Sequence, residues 1–379
     1  METLRTIESL ESLGAEWNLL VEAMPRPSPY LLHGWLVEWW RHFGAGSHLA
    51  VVVARRDGRL VGAAPLFVER SHGVRVARFL GGNDSALADL LLAAGEDRST
   101  GRLLVEEMLR QPFDYADLFG LPEDSVLADS GGPPLIKRIA APVLVMGEGW
   151  DAAYTAKSGA KYGHQRREDR RRLRRLGEIG AVEFVVGEAR EELEPFLEEA
   201  FLLHALRWRR RRDESTFGTE AGHRFERAAL RRLAGDGCLR MVLMRVGGRP
   251  TAFVYFFVLD GVMIVHRLGF DPALARYGPG RAATLDALRL ASDEGLTRVE
   301  FLGGADPYKL DLANRLEPLS EAVGLARNPL GALAAGRQLG LIQLRKTLSR
   351  SERLRRLYVD GLGLLRKGRR TGDGASSSA

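Results

Sequence analysis

Cysteine is almost absent from this 379-residue chain; Cys238 stands alone. One thiol builds no disulfide framework and no cysteine-type zinc cluster within a chain, so nothing depends on oxidation and a cytoplasmic setting is expected. Long apolar runs are missing too: none approaches the roughly 20 residues that cross a bilayer. The opening residues METLRTIESLES are acidic and mixed, unlike the basic-then-apolar order of a signal peptide. Neither a G-x-S-x-G elbow nor an H-E-x-x-H motif occurs, and no metal is expected. The net charge is a moderate +6, but arginine is clustered, and clusters matter more than the total.

What is present is most concentrated between residues 239 and 310. LRMVLMRV (239–246), TAFVYFFVLD (251–260) and VMIVHRLGF (262–270) read as strands, the last two joined by an Asp260-Gly261 hairpin turn. They are nearly continuously apolar, which predicts a sheet covered by helices on both faces. A Gly278-Pro279-Gly280 turn then opens an amphipathic helix with Leu285, Leu288 and Ala291 on one face and Gly295 as its stop. A helix start of this kind presents backbone N–H groups without intrahelical partners, a natural seat for a phosphate. A further strand ends at FLGGADPYK (301–309), whose turn carries Asp306, Tyr308 and Lys309.

These pieces resemble the GNAT superfamily of acyl-CoA transferases, and within it the double-domain branch typified by CelD-like cellulose-biosynthesis acetyltransferases, itself related to the Fem peptidyltransferases. The resemblance rests on GWLVEWWRHFG (34–44), LHALRW (203–208), Tyr277-Gly278-Pro279-Gly280 and FLGGADPYK in that order, and spans most of residues 15–320. It implies acetyl-CoA as acyl donor, held by Leu268, Gly269, Tyr277, Gly278, Gly280, Arg281 and Ala282. It implies an acceptor cleft near Lys161, Arg166, His204, Arg207, Trp208 and Asp306. The superfamily loop reads Arg/Gln-x-x-Gly-x-Gly/Ala; here its first position is Ala275, and Pro279 has no N–H to offer.

The first half repeats the second in worn form. Residues 49–70 parallel 239–260, residues 74–82 the next strand, 95–110 the turn and helix, and 114–124 the last strand with its polar turn. The expected fold is therefore α/β, two tandem GNAT-like units, each a mixed central sheet flanked by helices. The expected division is a degenerate N-terminal unit at 1–130, a linker and basic helix at 131–180, and an acyl-CoA-binding unit at 181–325. A basic helical tail at 326–366 and a disordered end at 367–379 follow. The first turn carries Glu96 and Asp97 where a phosphate would sit, so only the second unit is expected to bind an anionic cofactor.

Residues 157–180 read as an arginine-rich helix, either a solvated face or a wall of the acceptor cleft; no DNA partner is expected. The tail either packs on the body or attaches reversibly to an acidic membrane surface, which would place the protein at its inner face. For chemistry, His266 is the first candidate proton relay and Glu300 a second base. Tyr308 is a candidate acid for the departing thiolate, and Lys309 a holder for an anionic acceptor. Three functions stay open: an acyl-CoA-dependent N- or O-acetyltransferase acting on a small-molecule, sugar or polysaccharide precursor; a Fem-like transferase using aminoacyl-tRNA; and a non-catalytic accessory protein.

Overall fold

The computed structural model describes residues 1–157, 159–187, 190–208, 216–304 and 306–349, with the side chains at 137, 138, 160, 190, 207, 208 and 345–349 outside that description. The expected hairpins form at the Asp-Gly and Gly-Gly pairs, and a further one at His72-Gly73. Asp57-Gly58, His72-Gly73, Gly247-Gly248 and Asp260-Gly261 all have positive φ at both positions, the conformation a two-residue hairpin of matching twist requires.

Eleven strands make one mixed sheet among the described residues. In chain order they are β1 (His48–Leu49), β2 (Leu66–Ser71), β3 (Val74–Phe79), β4 (Tyr115–Leu121), β5 (Leu135–Val145), β6 (Val182–Gly187), β7 (Leu239–Val246), β8 (Arg249–Leu259), β9 (Val262–Phe270), β10 (Arg298–Glu300) and β11 (Arg315–Gly324). Their spatial order is β6-β7-β8-β9-β10-β5-β11-β4-β3-β2-β1. The repeat is plain in the pairing. In each half a hairpin (β2–β3, β8–β9) is followed by a helix and a parallel partner (β4 beside β3, β10 beside β9).

Two expectations change here. The stretch read as a linker with a short strand contains β5, an eleven-residue strand at the centre of the sheet. It pairs with β10 of the second unit, while β11, at the C-terminal end of the second unit, pairs with β4 of the first. β5 and β11 lie side by side, so the two units share backbone hydrogen bonds. Prolines at 133, 134 and 142 disguised the strand, because proline normally argues against a central position. Residues 59–71 are not one strand either. Pro65 interrupts them, and Arg59–Ala64 joins Glu2–Leu4, Val51–Arg56 and Leu91–Leu92 in a separate four-stranded sheet.

The helices needed below are α1 (His33–Phe43), α2 (Arg98–Leu109), α3 (Trp150–Ala156), α4 (Ala160–Gly177), α5 (Leu193–Trp208), α6 (Glu220–Gly235), α7 (Pro279–Asp293), α8 (Pro307–Leu312) and α9 (Pro329–Ser349). α7 covers one face of the second unit through Ala283, Ala287, Leu288 and Ala291, packed on Val254, Phe256 and Met263. Leu285 is half-buried and packs against the same cluster. The other face, with Phe253, Tyr255, Phe257 and Ile264, packs on α5, α6 and the tryptophan-rich α1. Trp35 stands edge-on to Phe225 and Tyr30 at ring separations of 4.9 and 5.3 Å, so one aromatic core crosses between the units.

An ion network crosses as well. Arg26 of the first unit reaches Glu300 on β10 at 2.9 Å, Asp124 at 3.0 Å and Glu317 at 3.4 Å, and Arg298 pairs with both Glu300 and Glu317. Removing one member leaves charges that were desolvated for each other. Arg26→Ala is expected to cost about 2 kcal/mol, read as a lower urea midpoint, with Arg26→Lys restoring part of it.

Candidate active site

β9 and β10 run parallel and paired only from Val262–Ile264 against Arg298–Glu300. Beyond Ile264 they part, while β9 stays paired with β8 along its other edge as far as Phe270. One edge of β9 therefore presents backbone groups that β10 does not satisfy. At the point of parting β9 carries a bulge: Tyr255 faces Arg267 and Phe256 faces Val265, leaving His266 as the extra residue. A bulge re-aims a side chain and its peptide groups without ending the strand.

A cavity of about 380 Å3 opens there. Val265, His266 and Arg267 line it from β9, Phe301 to Gly303 from the end of β10, and Lys309 from α8. Tyr30, Asn83, Asp84 and Ala86 of the first unit, with Thr216, form the opposite wall. Asp84 accepts hydrogen bonds from Trp39 Nε1 and Thr216 Oγ1, which fixes its carboxylate in place.

The His266 ring is buried, 5% exposed. Its Nδ1 lies 2.8 Å from Tyr30 Oη, and its Nε2 lies 3.6 Å from Glu226 Oε1, beyond hydrogen-bond reach and with no other partner among the described residues. Burial, reinforced by the Arg267 charge, pushes the imidazole pKa down, so the ring is neutral at neutral pH. Burial pushes the Tyr30 phenol far up, so it stays protonated and donates to Nδ1; the ring proton then sits on Nε2, facing Glu226. Glu226 accepts from Tyr255 Oη at 2.9 Å and from Arg267 at 3.1 and 3.3 Å. Burial alone would raise its pKa, but the Arg267 charge and these hydrogen bonds together hold it down at about 2.

His266 and Lys309 are thus brought to one cavity, and the other sequence candidates are not. Glu300 does not line it; its Oε1 is taken by Arg26 and Arg298, so it is an ion-pair member rather than an available base. Lys309 gives its ammonium protons to the carbonyls of Leu302 and Gly303, at 3.1 and 2.9 Å. Leu302 has φ +49, a left-handed conformation that leucine rarely adopts, so Lys309 pins a strained bend at the cavity edge. Tyr308 is half-buried against the core beneath α7, away from the cavity. Asp306 stands at the N-cap position of α8 without a side-chain capping bond and stays exposed, 3.6 Å from Lys309.

The expected acceptor residues are scattered. Lys161 pairs with Asp311, and Arg166 donates to the carbonyls of Tyr154 and Lys157, both on the α7 side of the sheet. His204 lies on the opposite face, edge-on to Phe217 at 4.7 Å. The side chains of Arg207 and Trp208 lie outside the described residues. Tyr30, Glu226, Asn83 and Asp84 were missed by sequence reasoning; Tyr30 stands just ahead of the tryptophan helix, the one signal that pointed its way.

The start of α7 is a glycine turn, as its residues suggest. Gly278, at φ +62, starts α7 with no side-chain cap, so the first-turn amides of Gly280 and Arg281 have no intrahelical acceptor. Gly280 also has a packing reason: a Cβ there would stand 2.9 Å from Phe270 Cδ1. Gly269 is likewise pressed by Phe253, and Leu268 packs half-buried against the α7 core. Arg281 is fully engaged by Asp169 at 2.7 and 3.0 Å, and Tyr277 lies beneath Arg175 and Arg276. Ala282 follows on the first turn. In the first unit Asp97 caps α2 itself, accepting from Ser99, and Glu96 pairs with Arg56. Residues 87–90 are buried against the end of β4, with the Ala88 amide bonded to Gly120.

A family profile described as an acetyltransferase (GNAT) domain matches residues 163–310. Among solved structures, FemX superposes with a TM-score of 0.62 at 12% identity, covering 88% of this chain and 100% of that one. L-PGS from Bacillus licheniformis gives 0.56 at 11%, covering 88% and 96%. The C-terminal domain of a putative lysylphosphatidylglycerol synthetase from Agrobacterium fabrum gives 0.54 at 15%, covering 88% and 94%. At these identities the likeness is one of fold. Curated proteins give no match. Residues 163–310 are thus similar to a GNAT-type acetyltransferase domain, within a chain whose two halves repeat one α/β plan.

Glu226 makes a pH prediction. Its folded pKa is depressed, so its contribution is full above the unfolded value near 4.5 and is lost as pH falls toward about 2. Glu226→Gln should remove on the order of 3 kcal/mol at pH 7 and flatten this acid limb, measured by urea unfolding across pH.

Proposed function

We propose that the chain transfers an acyl group from an acyl-CoA thioester to an amine or hydroxyl held between its two units. The observation that carries this reading is the parting of β9 and β10 beyond Ile264 beside a cavity containing a buried histidine. An extended chain bearing amides adds to an open strand edge as a further strand would. The α7 start supports a diphosphate at one end of that edge. A peptide N–H at the bulge supports the thioester carbonyl as negative charge develops on it.

The thioester is already activated, so the protein must position the partners and move one proton. Tyr30 Oη takes a proton from the attacking group while giving its own to His266 Nδ1. The imidazolium formed stands 3.6 Å from the Glu226 carboxylate, which stabilises it. Running backwards, the same relay returns the proton to the departing thiolate. Asn83, Asp84 and Thr216 supply hydrogen bonds suited to a sugar-type acceptor, in keeping with a role in polysaccharide or cell-envelope precursor chemistry on the cytoplasmic side.

The arginine-rich α4, with Arg167, Arg171 and Arg175 among its side chains, favours one second reading, an acyl donor carried on tRNA.

Acetyl-CoA should raise the thermal midpoint and release free thiol when an acceptor is present. His266→Gln and Tyr30→Phe should each lower turnover about 100-fold with the acetyl-CoA shift retained. In the wild type the acid limb of kcat/KM should lie below pH 6.5, because the base is a depressed imidazole, and His266→Gln should abolish it. A midpoint raised by aminoacyl-tRNA and not by acetyl-CoA would select the second reading.

A further inference from the structure

α9 is docked on β3, β4 and β11, and specific contacts fix which way it is turned. Ala335 and Ile342, both buried, pack against Val76, Tyr115 and Val323. Gln338, between them, donates to Asp117 at 3.0 Å. Asn328, just ahead of the helix, accepts from the Gly331 amide at 2.7 Å and donates to Asp114 at 2.8 Å. Gly331 lets the first turn lie close on the sheet, because a Cβ there would collide with the Asp114 carbonyl. Packing on the body thus accounts for one side of α9 and leaves the other side facing water.

That outward side is a stripe of leucine. Leu330, Leu333, Leu341 and Leu344 are 54, 73, 38 and 49% exposed. With the exposed Arg337 at the midpoint they recur at spacings of three and four, which is one line along a helix. Exposed leucines scattered singly are ordinary, whereas four aligned on one helix make a continuous apolar surface. The charge is as uneven. Of the chain's 55 lysines and arginines and 49 acidic residues, residues 326–370 hold twelve and two, so they carry +10 and the remainder −4. Apolar surface and positive charge are therefore concentrated in the same stretch of sequence.

We propose that the outward face of α9 seats the protein on an anionic lipid bilayer. The four leucines enter the boundary between headgroups and acyl chains, and Arg337 lays its stem among them with its guanidinium at the lipid phosphates. The positive charge of residues 326–370 adds attraction to an anionic leaflet. Two other occupants fit less well. A second copy paired about the middle of the stripe would bring Arg337 against its own copy and one +10 segment against another, which like-charge repulsion opposes. A nucleic acid would meet the charge but leave the leucines in water. Seating requires neither donor nor acceptor, so it is measured on the chain alone.

The test is co-sedimentation of the full chain with vesicles of phosphatidylcholine alone and of phosphatidylcholine with about one third phosphatidylglycerol. The chain should pellet with the mixed vesicles and stay in solution with the neutral ones, and added salt should weaken the binding. Leu333→Ser combined with Leu341→Ser should weaken it about 30-fold. Both side chains are exposed, so the thermal midpoint should not fall. Arg337→Glu should weaken it about 10-fold. No sedimentation with the mixed vesicles would overturn the proposal. So would binding that the paired leucine substitution leaves unchanged, since charge alone would then suffice. Sedimentation equilibrium showing a dimer that the same substitution abolishes would give the face to a second copy instead.

Discussion

Three residue pairs set the character of this molecule. β9 and β10 are held together only at Val262–Ile264, and the proposed site follows from where that pairing stops. Continued pairing would bury the β9 edge and close the cavity. Earlier parting would loosen β10 from the sheet that carries it. The bulge at His266 falls two residues past the last pair, so the histidine, the strand edge that β10 leaves and the cavity coincide. Arg26 and Arg298 anchor the end of β10 through Glu300, and Lys309 pins the bend that follows. These charged residues hold the walls of the opening in place.

The same plan occurs twice, and the differences explain why one copy is the better site. In the first unit β3 and β4 also part after a short parallel pairing. There the chain's own residues 87–90 pack against the end of β4, and Asp97 supplies the carboxylate that a ligand phosphate would offer to the α2 start. In the second unit both places are left to something else. The first unit contributes Tyr30, Asn83 and Asp84 to the shared cavity, so the duplication supplies a wall rather than a second centre.

Much of this was legible in the chain. Two-residue turns with glycine announced the hairpins, and the Gly278 turn announced the α7 start, because those features are local. His266 could be singled out as a polar residue in an apolar strand. Its partners could not: Tyr30 lies 236 residues away, and Glu226 sits on a helix whose spacing only says that it is amphipathic. Lys309 and Glu300 look available in sequence, yet one is spent on backbone carbonyls and the other on two arginines. The strand β5 was hidden by its prolines, and with it the fact that the units exchange central strands.

The central claim is that the donor lies along β9 beyond Ile264, where β10 parts from it. Amide hydrogen exchange of the full chain, with and without acetyl-CoA, addresses it directly. The account predicts slowed exchange at Val265–Phe270 and at the first turn of α7, with the matching segment of the first unit unchanged. Protection confined to β3 and α2, or exchange at β9 unaltered at saturating acetyl-CoA, would contradict it.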